Sequence, residues 1–344
     1  MAPPLHGIPC DRTSNPVIGA SLPEVSTSVG TPASFAGFLI LILLLLALDL
    51  GVLRKKDQEL TFRAAIGWSA FWVSLAAAFN LFVWYEYGAD LALQFTAGYL
   101  LEEALSVDNV FVFSVIFTFF AVPKAFQHRV LFWGILGALV LRGIFVGLGS
   151  ALIHRFEWIL YIFGVILILT GVKLLRSGDD DEFDPSGNAL VKLAKRFVRV
   201  TPTYVKDWFF VKDDKGWAAT PLFLVLLTIE SSDVLFAIDS VPAVFSVTND
   251  PFIIYTSNIF AILGLRSLYF LVQNAVDAFH YLKYGLAFIL MFIGGKMLVM
   301  HWIHTPIYVS LGVIVTLLAL SIGASWLRPH AKVDATELPP EPQE

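Results

Sequence analysis

Long apolar runs constrain this chain more than any other feature of its sequence. A helix that crosses a bilayer needs about 20 mostly apolar residues, and runs of that length recur along the chain. We predict nine membrane-spanning helices, at about 34–53, 64–86, 91–121, 128–152, 155–176, 218–247, 252–275, 280–300 and 305–327. The predicted fold class is therefore all-α, in a polytopic membrane protein.

Composition excludes the soluble classes of protein. Hydrophobic residues make up 57% of the chain and charged residues 15%, whereas soluble domains have about 45–50% and about 25%. The net charge of −5 gives no basic surplus, so no nucleic-acid partner is expected. Cys10 is the only cysteine, which excludes a disulfide or a Cys-based metal site within one chain.

Because no nucleophile–base, phosphate-binding or dinucleotide-binding motif occurs, we expect neither an enzyme nor a permanently bound cofactor.

The distribution of Lys and Arg predicts the orientation of the chain. Seventeen of the 23 fall on one side of the predicted spans, and only Arg12 and Arg155 fall on the other. Because cytoplasmic loops are enriched in Lys and Arg, the N-terminus should lie outside and the C-terminus in the cytoplasm. The predicted regions are a disordered extracytoplasmic tail at 1–33, a transmembrane domain at 34–327 with a cytoplasmic loop at 177–217, and a cytoplasmic tail at 328–344.

Part of the cytoplasmic loop is predicted to lie on the membrane surface. Between Ala189 and Val211, apolar side chains alternate with basic ones. This pattern is typical of a helix on the anionic inner leaflet. The lipid bilayer is therefore an expected partner of the loop as well as of the spans.

The third-to-fifth and sixth-to-eighth spans, at about 91–176 and 218–300, are predicted to form an internal repeat. The aligned pairs are Glu102 with Asp233, Asp108 with Asp239, Asn109 with Ser240, Arg142 with Arg266, Tyr161 with Tyr284 and Lys173 with Lys296. Each unit has three spans, so the second unit must cross the membrane in the opposite sense. Inverted repeats are typical of secondary transporters, whose substrate site lies near the midplane where the repeats meet. The two lysines lie near span ends, where we expect them to extend to the interface.

Acidic residues inside the predicted spans are the strongest functional signal. A carboxylate in hydrocarbon costs about 2.5–3.5 kcal/mol on insertion scales, so intramembrane acids indicate a functional site. The charged residues near mid-depth are Glu102, Glu103, Asp108, Glu230, Asp233 and Asp239, with Arg142 and Arg266 as supporting cations. Two arginines cannot neutralise six acids, so a divalent cation is the expected ligand. Acid–arginine pairs that only hold helices together are the alternative.

Ligand chemistry and helix geometry indicate the kind of ion. Pro242 cannot donate to the carbonyl of Ile238, so the sixth span should be broken near Asp239. The freed carbonyls and the acids would then converge on one ion. Such an all-oxygen set suits Mn²⁺, Mg²⁺ or Ca²⁺, whereas Zn²⁺ and Cu⁺ favour Cys and His. The predicted metal ligands are Glu102, Asp108, Asn109, Glu230, Asp233, Asp239 and Ser240.

Three motifs include or adjoin these positions, namely GYLLEEALSVDNVFVF at 98–113, the segment at 219–271 and LKYGLAFILMFIGGKML at 282–298. They resemble motifs of the TerC family of integral membrane proteins, in the branch of the alkali-inducible Alx proteins. The resemblance covers about 34–327 and implies nine spans, inverted repeats and manganese export across the bacterial inner membrane. The intramembrane acids that it implies are Glu102, Asp108, Glu230, Asp233 and Asp239.

These observations predict a secondary transporter that exports Mn²⁺ by alternating access, with the ion as its substrate. The inward-negative potential opposes export of a divalent ion by about 4.6 kcal/mol per 100 mV, so proton coupling through the same carboxylates is expected. A carrier for Ca²⁺ or another divalent cation is one alternative, because oxygen ligands separate these ions poorly. A membrane scaffold that assists metallation or secretion of other proteins, acting through its loop at 177–217, is the other. The oligomeric state is left open.

Overall fold

The computed structural model describes residues 28–53, 62–156, 158–176, 189–213, 216–273, 281–303 and 305–327. The helices in these residues are α1 (Pro32–Leu53), α2 (Phe62–Tyr87), α3 (Ala89–Phe119), α4 (Lys124–Arg155), α5 (Ile159–Arg176), α6 (Ala189–Phe197), α7 (Pro221–Phe245), α8 (Pro251–Gln273), α9 (Leu282–Val299) and α10 (Ile307–Leu327). Two short strands, β1 (Phe210–Asp213) and β2 (Gly216–Ala219), pair antiparallel between α6 and α7. The predicted class, an all-α polytopic membrane protein, is confirmed.

Seven of the described helices are long and apolar enough to cross a membrane, namely α2, α4, α5, α7, α8, α9 and α10. Two further helices coincide with predicted spans. The 31 residues of α3 include four acids, and α1 has 22 residues that are almost all apolar. The count of nine spans and the inverted repeat both remain predictions.

Helix α8 lies at the centre of the bundle. The apolar stretch that would span the membrane is completely buried, and α8 packs against α2, α3 and α4. Phe260 of α8 contacts Phe38 of α1, Phe79 of α2 and Phe95 of α3, with ring centroids 4.9–6.0 Å apart. This aromatic cluster packs against one side of α8. Asn258 of α8 is fully buried and faces α4, where it accepts a hydrogen bond from Arg142.

Helices α5 and α9 cross closely because glycines stand at their contact. A Cβ on Gly164 would lie 2.9 Å from the carbonyl oxygen of Gly294, and one on Gly171 would lie 2.7 Å from that of Ala287. The order of these contacts makes the two helices antiparallel. In the predicted repeat, Gly171 aligns with Gly294 and Gly164 with Ala287. Gly164 thus contacts the counterpart of Gly171, and Gly171 contacts the counterpart of Gly164. This reciprocal pattern is expected if a two-fold axis relates the two units.

The chain that enters α1 is bonded to the connection between α7 and α8. The backbone N–H of Val29 donates to Oδ2 of Asp250 (2.7 Å), while Oδ1 of Asp250 accepts from the N–H of Phe252 (2.8 Å) in the first turn of α8. Residues 28–33, predicted to belong to a disordered tail, instead lie beside the start of α8 or form the first turn of α1. The rest of that tail, 1–27, and the predicted cytoplasmic tail, 328–344, lie outside the described residues.

The predicted cytoplasmic loop is attached to the ends of α3 and α4. Tyr204 donates its hydroxyl hydrogen to the carbonyl oxygen of Phe120 (2.7 Å). Burial raises the pKa of Tyr204 to about 12, so this hydroxyl remains a donor at neutral pH. Leu193 and Phe197, one turn apart on α6, are exposed together with basic neighbours. That surface suits the predicted contact with lipid, which remains a prediction.

Candidate functional site

A buried arginine holds two of the predicted acids. Arg142 of α4 is fully buried, and its Nη1 donates to Glu102 of α3 and to Oδ1 of Asn258 in α8, the latter at 2.5 Å. Its Nη2 lies 3.5 Å from Oδ1 of Asp233 in α7. Glu102 and Asp233 are themselves buried. One guanidinium therefore joins four helices, and it binds two acids that are aligned in the predicted repeat.

A cavity of about 200 Å³ adjoins Arg142 and contains the other aligned acids. Asp108 and Asn109 of α3 line it from one side, and Asp239 and Ser240 of α7 line it from another. Leucines from α3, α5 and α9 and one phenylalanine from α7 form its apolar wall. The cavity is thus a mostly apolar space in which carboxylate, amide and hydroxyl groups from both predicted repeats meet.

Helix α5 contributes two polar residues to the cavity. Thr170 donates its hydroxyl hydrogen to Oδ1 of Asp239 (2.9 Å), and Lys173 lines the cavity one turn further along. Lys173 is exposed and stands in the last turn of α5, which leads into the loop at 177–217. The cavity therefore extends toward the predicted cytoplasmic face.

Several buried oxygen atoms around Arg142 and the cavity have no hydrogen-bond partner. Within the described residues these include Oε2 of Glu102, Oδ2 of Asp233 and the hydroxyls of Ser106 and Ser240. A buried polar atom without a partner costs about 1–3 kcal/mol, so these groups indicate a ligand or water. Their oxygen chemistry fits a hard or borderline divalent cation.

The acids do not form a preassembled coordination shell. In the described part of the chain, no group of three His, Cys, Asp or Glu side chains is placed to hold a metal ion. Glu102 and Asp233 are engaged by Arg142, whereas Asp108 and Asp239 face the cavity. The structure thus brings the two aligned pairs of acids to one region. One pair binds the guanidinium of Arg142, and the other pair lines the cavity.

Three of the predicted charged residues neither line the cavity nor bind Arg142. Glu230 lies against the backbone of α4, where a Cβ on Gly137 would overlap its carboxylate. Glu103 is close to Tyr99 and to Gly264 of α8. Arg266 is 5% exposed within α8 and does not line the cavity.

The predicted break in the sixth span is wrong. Helix α7 runs without interruption from Pro221 to Phe245, with Pro242 inside its last turn. A proline there removes only the hydrogen bond to the carbonyl of Ile238, since few helical residues follow it. Asp233 and Asp239 therefore project from one continuous helix, toward Arg142 and the cavity respectively.

Sequence reasoning missed two partners in the site and the acceptors of a third residue. Asn258 and Thr170 were not predicted, although an Asn in an apolar span is a signal that could have been used. Lys296 is predicted to extend to the interface, which stays a prediction, and the structure shows its acceptors. Its Nζ donates to the carbonyl oxygen of Ser246 (3.1 Å) and to Oγ of Ser310 (2.9 Å), because the end of α7 and the start of α10 bring acceptors to it.

Comparison with known proteins places this architecture in a family. An uncharacterized membrane protein of Myxococcus xanthus, STKORF319, is 49% identical over 317 residues, which are 92% of this chain and 99% of that protein. A protein of Escherichia coli strain K12 with the provisional name membrane-bound redox modulator Alx is 47% identical over 303 residues, 86% of this chain and 94% of that protein. No solved structure matches the chain. Residues 87–332 match the model of the integral membrane protein TerC family, and the chain therefore belongs to that family.

Proposed function

We propose that this protein is a secondary transporter that exports Mn²⁺ from the cytoplasm. The observation that carries the proposal is the cavity in which Asp108 and Asp239, from the two predicted repeats, meet Asn109 and Ser240. All four side chains offer oxygen, which Mn²⁺ accepts readily. The ion is the substrate, and no permanently bound cofactor is part of the proposal.

Charge balance supports a divalent cation in this cavity. Arg142 offsets one of the two carboxylates that it binds, Glu102 and Asp233. The uncompensated carboxylate of that pair, the two aspartates of the cavity and the ammonium of Lys173 then carry a formal charge of −2 together, which a divalent ion would neutralise. In a medium of low dielectric constant this attraction is much stronger than in water.

Arg142 also offers a way to couple ion binding to conformation. Its guanidinium occupies the place of a cation between Glu102 and Asp233, so an arriving ion would compete with it for these oxygens. Such competition changes the contact between α3, α4, α7 and α8 and would allow the bundle to switch between two states. Protons that bind the same carboxylates after ion release would move inward with the membrane potential in the return step and so offset the cost of exporting the divalent ion.

We further propose a location in the bacterial inner membrane with the N-terminus outside. The cavity then extends toward the cytoplasm, as the loading state of an exporter requires. Cys10, the only thiol, provides a test. We expect it to react with an impermeant maleimide in intact spheroplasts, and reaction only after lysis would reverse the proposed orientation.

Two alternative functions, a Ca²⁺ carrier and a membrane scaffold, predict different experimental results. A Ca²⁺ carrier would use the same oxygen ligands, and a scaffold that assists metallation of other proteins would act through the loop at 177–217. The name of the Escherichia coli relative refers to a redox role, which we do not propose for this chain. This chain has one cysteine and cannot carry out thiol–disulfide exchange within itself.

Metal uptake into inverted membrane vesicles tests the proposal. Vesicles from cells that express this chain are offered Mn²⁺, Ca²⁺, Zn²⁺ or Mg²⁺, with vesicles containing Asp239→Asn protein as the control. We expect saturable uptake of Mn²⁺ that the control lacks. Preference for Ca²⁺ would indicate the calcium carrier. Equal, background uptake in both preparations would reject transport and favour the scaffold.

A further inference from the structure

Two lysines that align in the predicted repeat have different surroundings. Lys296, in the last turn of α9, donates to the carbonyl oxygen of Ser246 (3.1 Å) and to Oγ of Ser310 (2.9 Å). Lys173, in the last turn of α5, lines the cavity beside Asp239 and makes no such bond within the described part of the chain. The same residue at equivalent positions is thus engaged in one unit and available in the other.

The engaged lysine closes one end of the bundle. Ser246 follows α7 and Ser310 lies in the first turn of α10, so Lys296 joins three helices at the end remote from the loop at 177–217. An ammonium group at the carbonyl end of a helix is stabilised by the helix dipole as well as by its hydrogen bonds. Close by, the ring of Phe245 lies so near α4 that a Cβ on Gly149 would be 2.7 Å from it. Val244, Phe245 and Val247 are buried, so the end of α7 is closely packed here.

The opposite end is arranged differently. There the cavity lies between α3, α5, α7 and α9, with Lys173 on its edge. Thr170, one turn before Lys173, already holds Asp239, so the ammonium and the carboxylate share one wall of the cavity. A divalent ion that binds Asp239 would repel this ammonium and remove its local counter-charge.

We propose that Lys296 and Lys173 are the latches of two opposite gates. Lys296 closes the predicted outer end in the present conformation. In the alternate conformation Lys173 closes the cytoplasmic end by binding carbonyl oxygens near the end of α3, the helix that aligns with α7. Ion binding at Asp239 releases Lys173 for this role, so loading of the cavity promotes closure behind the ion. The inference rests on the proposed transport function for its purpose, but the latches act on accessibility whether or not an ion is moved.

Thiol accessibility in the full-length protein tests the two latches without any metal. In a Cys10→Ser background, Val247→Cys reports on the closed end and Leu286→Cys reports on the cavity, since both native side chains are buried at those places. An impermeant maleimide is applied to intact spheroplasts for the first reporter and to inverted vesicles for the second. The measured quantity is the labelling rate.

The two lysine variants should shift these rates in opposite directions. We expect Lys296→Met to raise labelling at position 247 and lower it at position 286, each by about tenfold, because a charged hydrogen bond is lost from one state only. Lys173→Met should lower labelling at position 247 and raise it at position 286. Lys296→Arg should retain most of the normal pattern, and Lys192→Met, at an exposed position of α6, should change neither rate.

The outcomes separate the latches from the transporter. Increased labelling of both reporters in both variants would show that the lysines only stabilise the fold, and would overturn the inference. Unchanged rates would overturn it as well. Opposite shifts without Mn²⁺ uptake by vesicles of the unmodified chain would retain the latches and reject the proposed transport. Normal uptake without opposite shifts would reject the latches alone.

Discussion

Two arginines of α4 bind carboxylates in contrasting environments. Arg129, near the predicted cytoplasmic rim, pairs with Asp207 and lies over the ring of Trp208, with side-chain exposures of 26% and 42% for the ion pair. Arg142 pairs with Glu102 where both side chains are completely buried. Water can replace either partner at the rim, whereas loss of one partner in the interior leaves the other charge buried. The same ion-pair chemistry is therefore dispensable in one place and decisive in the other.

The largest expected effect is that of Arg142→Met, which breaks the buried side of this comparison. Removal of the guanidinium leaves Glu102 and Asp233 buried without a counter-charge, and such losses cost about 3–5 kcal/mol. We expect a marked fall in the thermal unfolding temperature and in the yield of monodisperse protein in detergent. Adding Glu102→Gln to this variant should recover part of the loss, because one unpaired charge disappears. An unfolding temperature equal to that of the unmodified chain would contradict the prediction.

Asp239→Asn separates the acids of the cavity from the acids that Arg142 holds. We expect Mn²⁺ uptake to fall to background while the unfolding temperature stays near normal, because a neutral amide is easier to bury than a carboxylate. Asp108→Asn should behave in the same way. The matched control is Asp90→Asn, an exposed aspartate in the first turn of α3, which should transport normally. Full uptake by Asp239→Asn at normal protein levels would remove the cavity from the mechanism.

A smaller effect is expected from Gly294→Ala, which tests packing without charge. A Cβ at this position would lie 2.5 Å from the carbonyl oxygen of Gly164, and a backbone atom cannot move aside easily. We expect a loss of about 1–3 kcal/mol in the free energy of unfolding. Its neighbour Gly295 has no atom within 4 Å of such a Cβ, so Gly295→Ala should be neutral or stabilise by up to about 1 kcal/mol. Equal unfolding temperatures for the two variants would contradict the close crossing of α5 and α9.

The smallest effect is expected from Arg129→Met, at the exposed side of the comparison. A surface ion pair contributes about 0–1 kcal/mol, and salt screens it. We expect an unfolding temperature close to normal and unchanged Mn²⁺ uptake. A destabilisation as large as that of Arg142→Met would show that burial does not explain the difference between the two arginines.

Much of the architecture follows from the sequence, for local reasons. Apolar runs of the length of a bilayer predict membrane helices because a helix satisfies its own backbone hydrogen bonds wherever it lies. Acids within these runs stand out because burying a charge is costly. The alignment of Glu102 with Asp233 and of Asp108 with Asp239 is therefore visible in the residue pattern itself, and both pairs lie in one region of the fold.

Tertiary structure alone decided which groups pair. The sequence offers two arginines at aligned positions and does not show that Arg142 binds Glu102 and Asp233 and lines the cavity. Asn258 and Lys296 found partners on helices that are distant in sequence. Pro242, a local signal for a broken helix, was overridden because it stands in the last turn of α7. Residue patterns encode periodicity and the cost of burial over a few helical turns, whereas a partner is chosen by the depth, rotation and spacing at which whole helices pack.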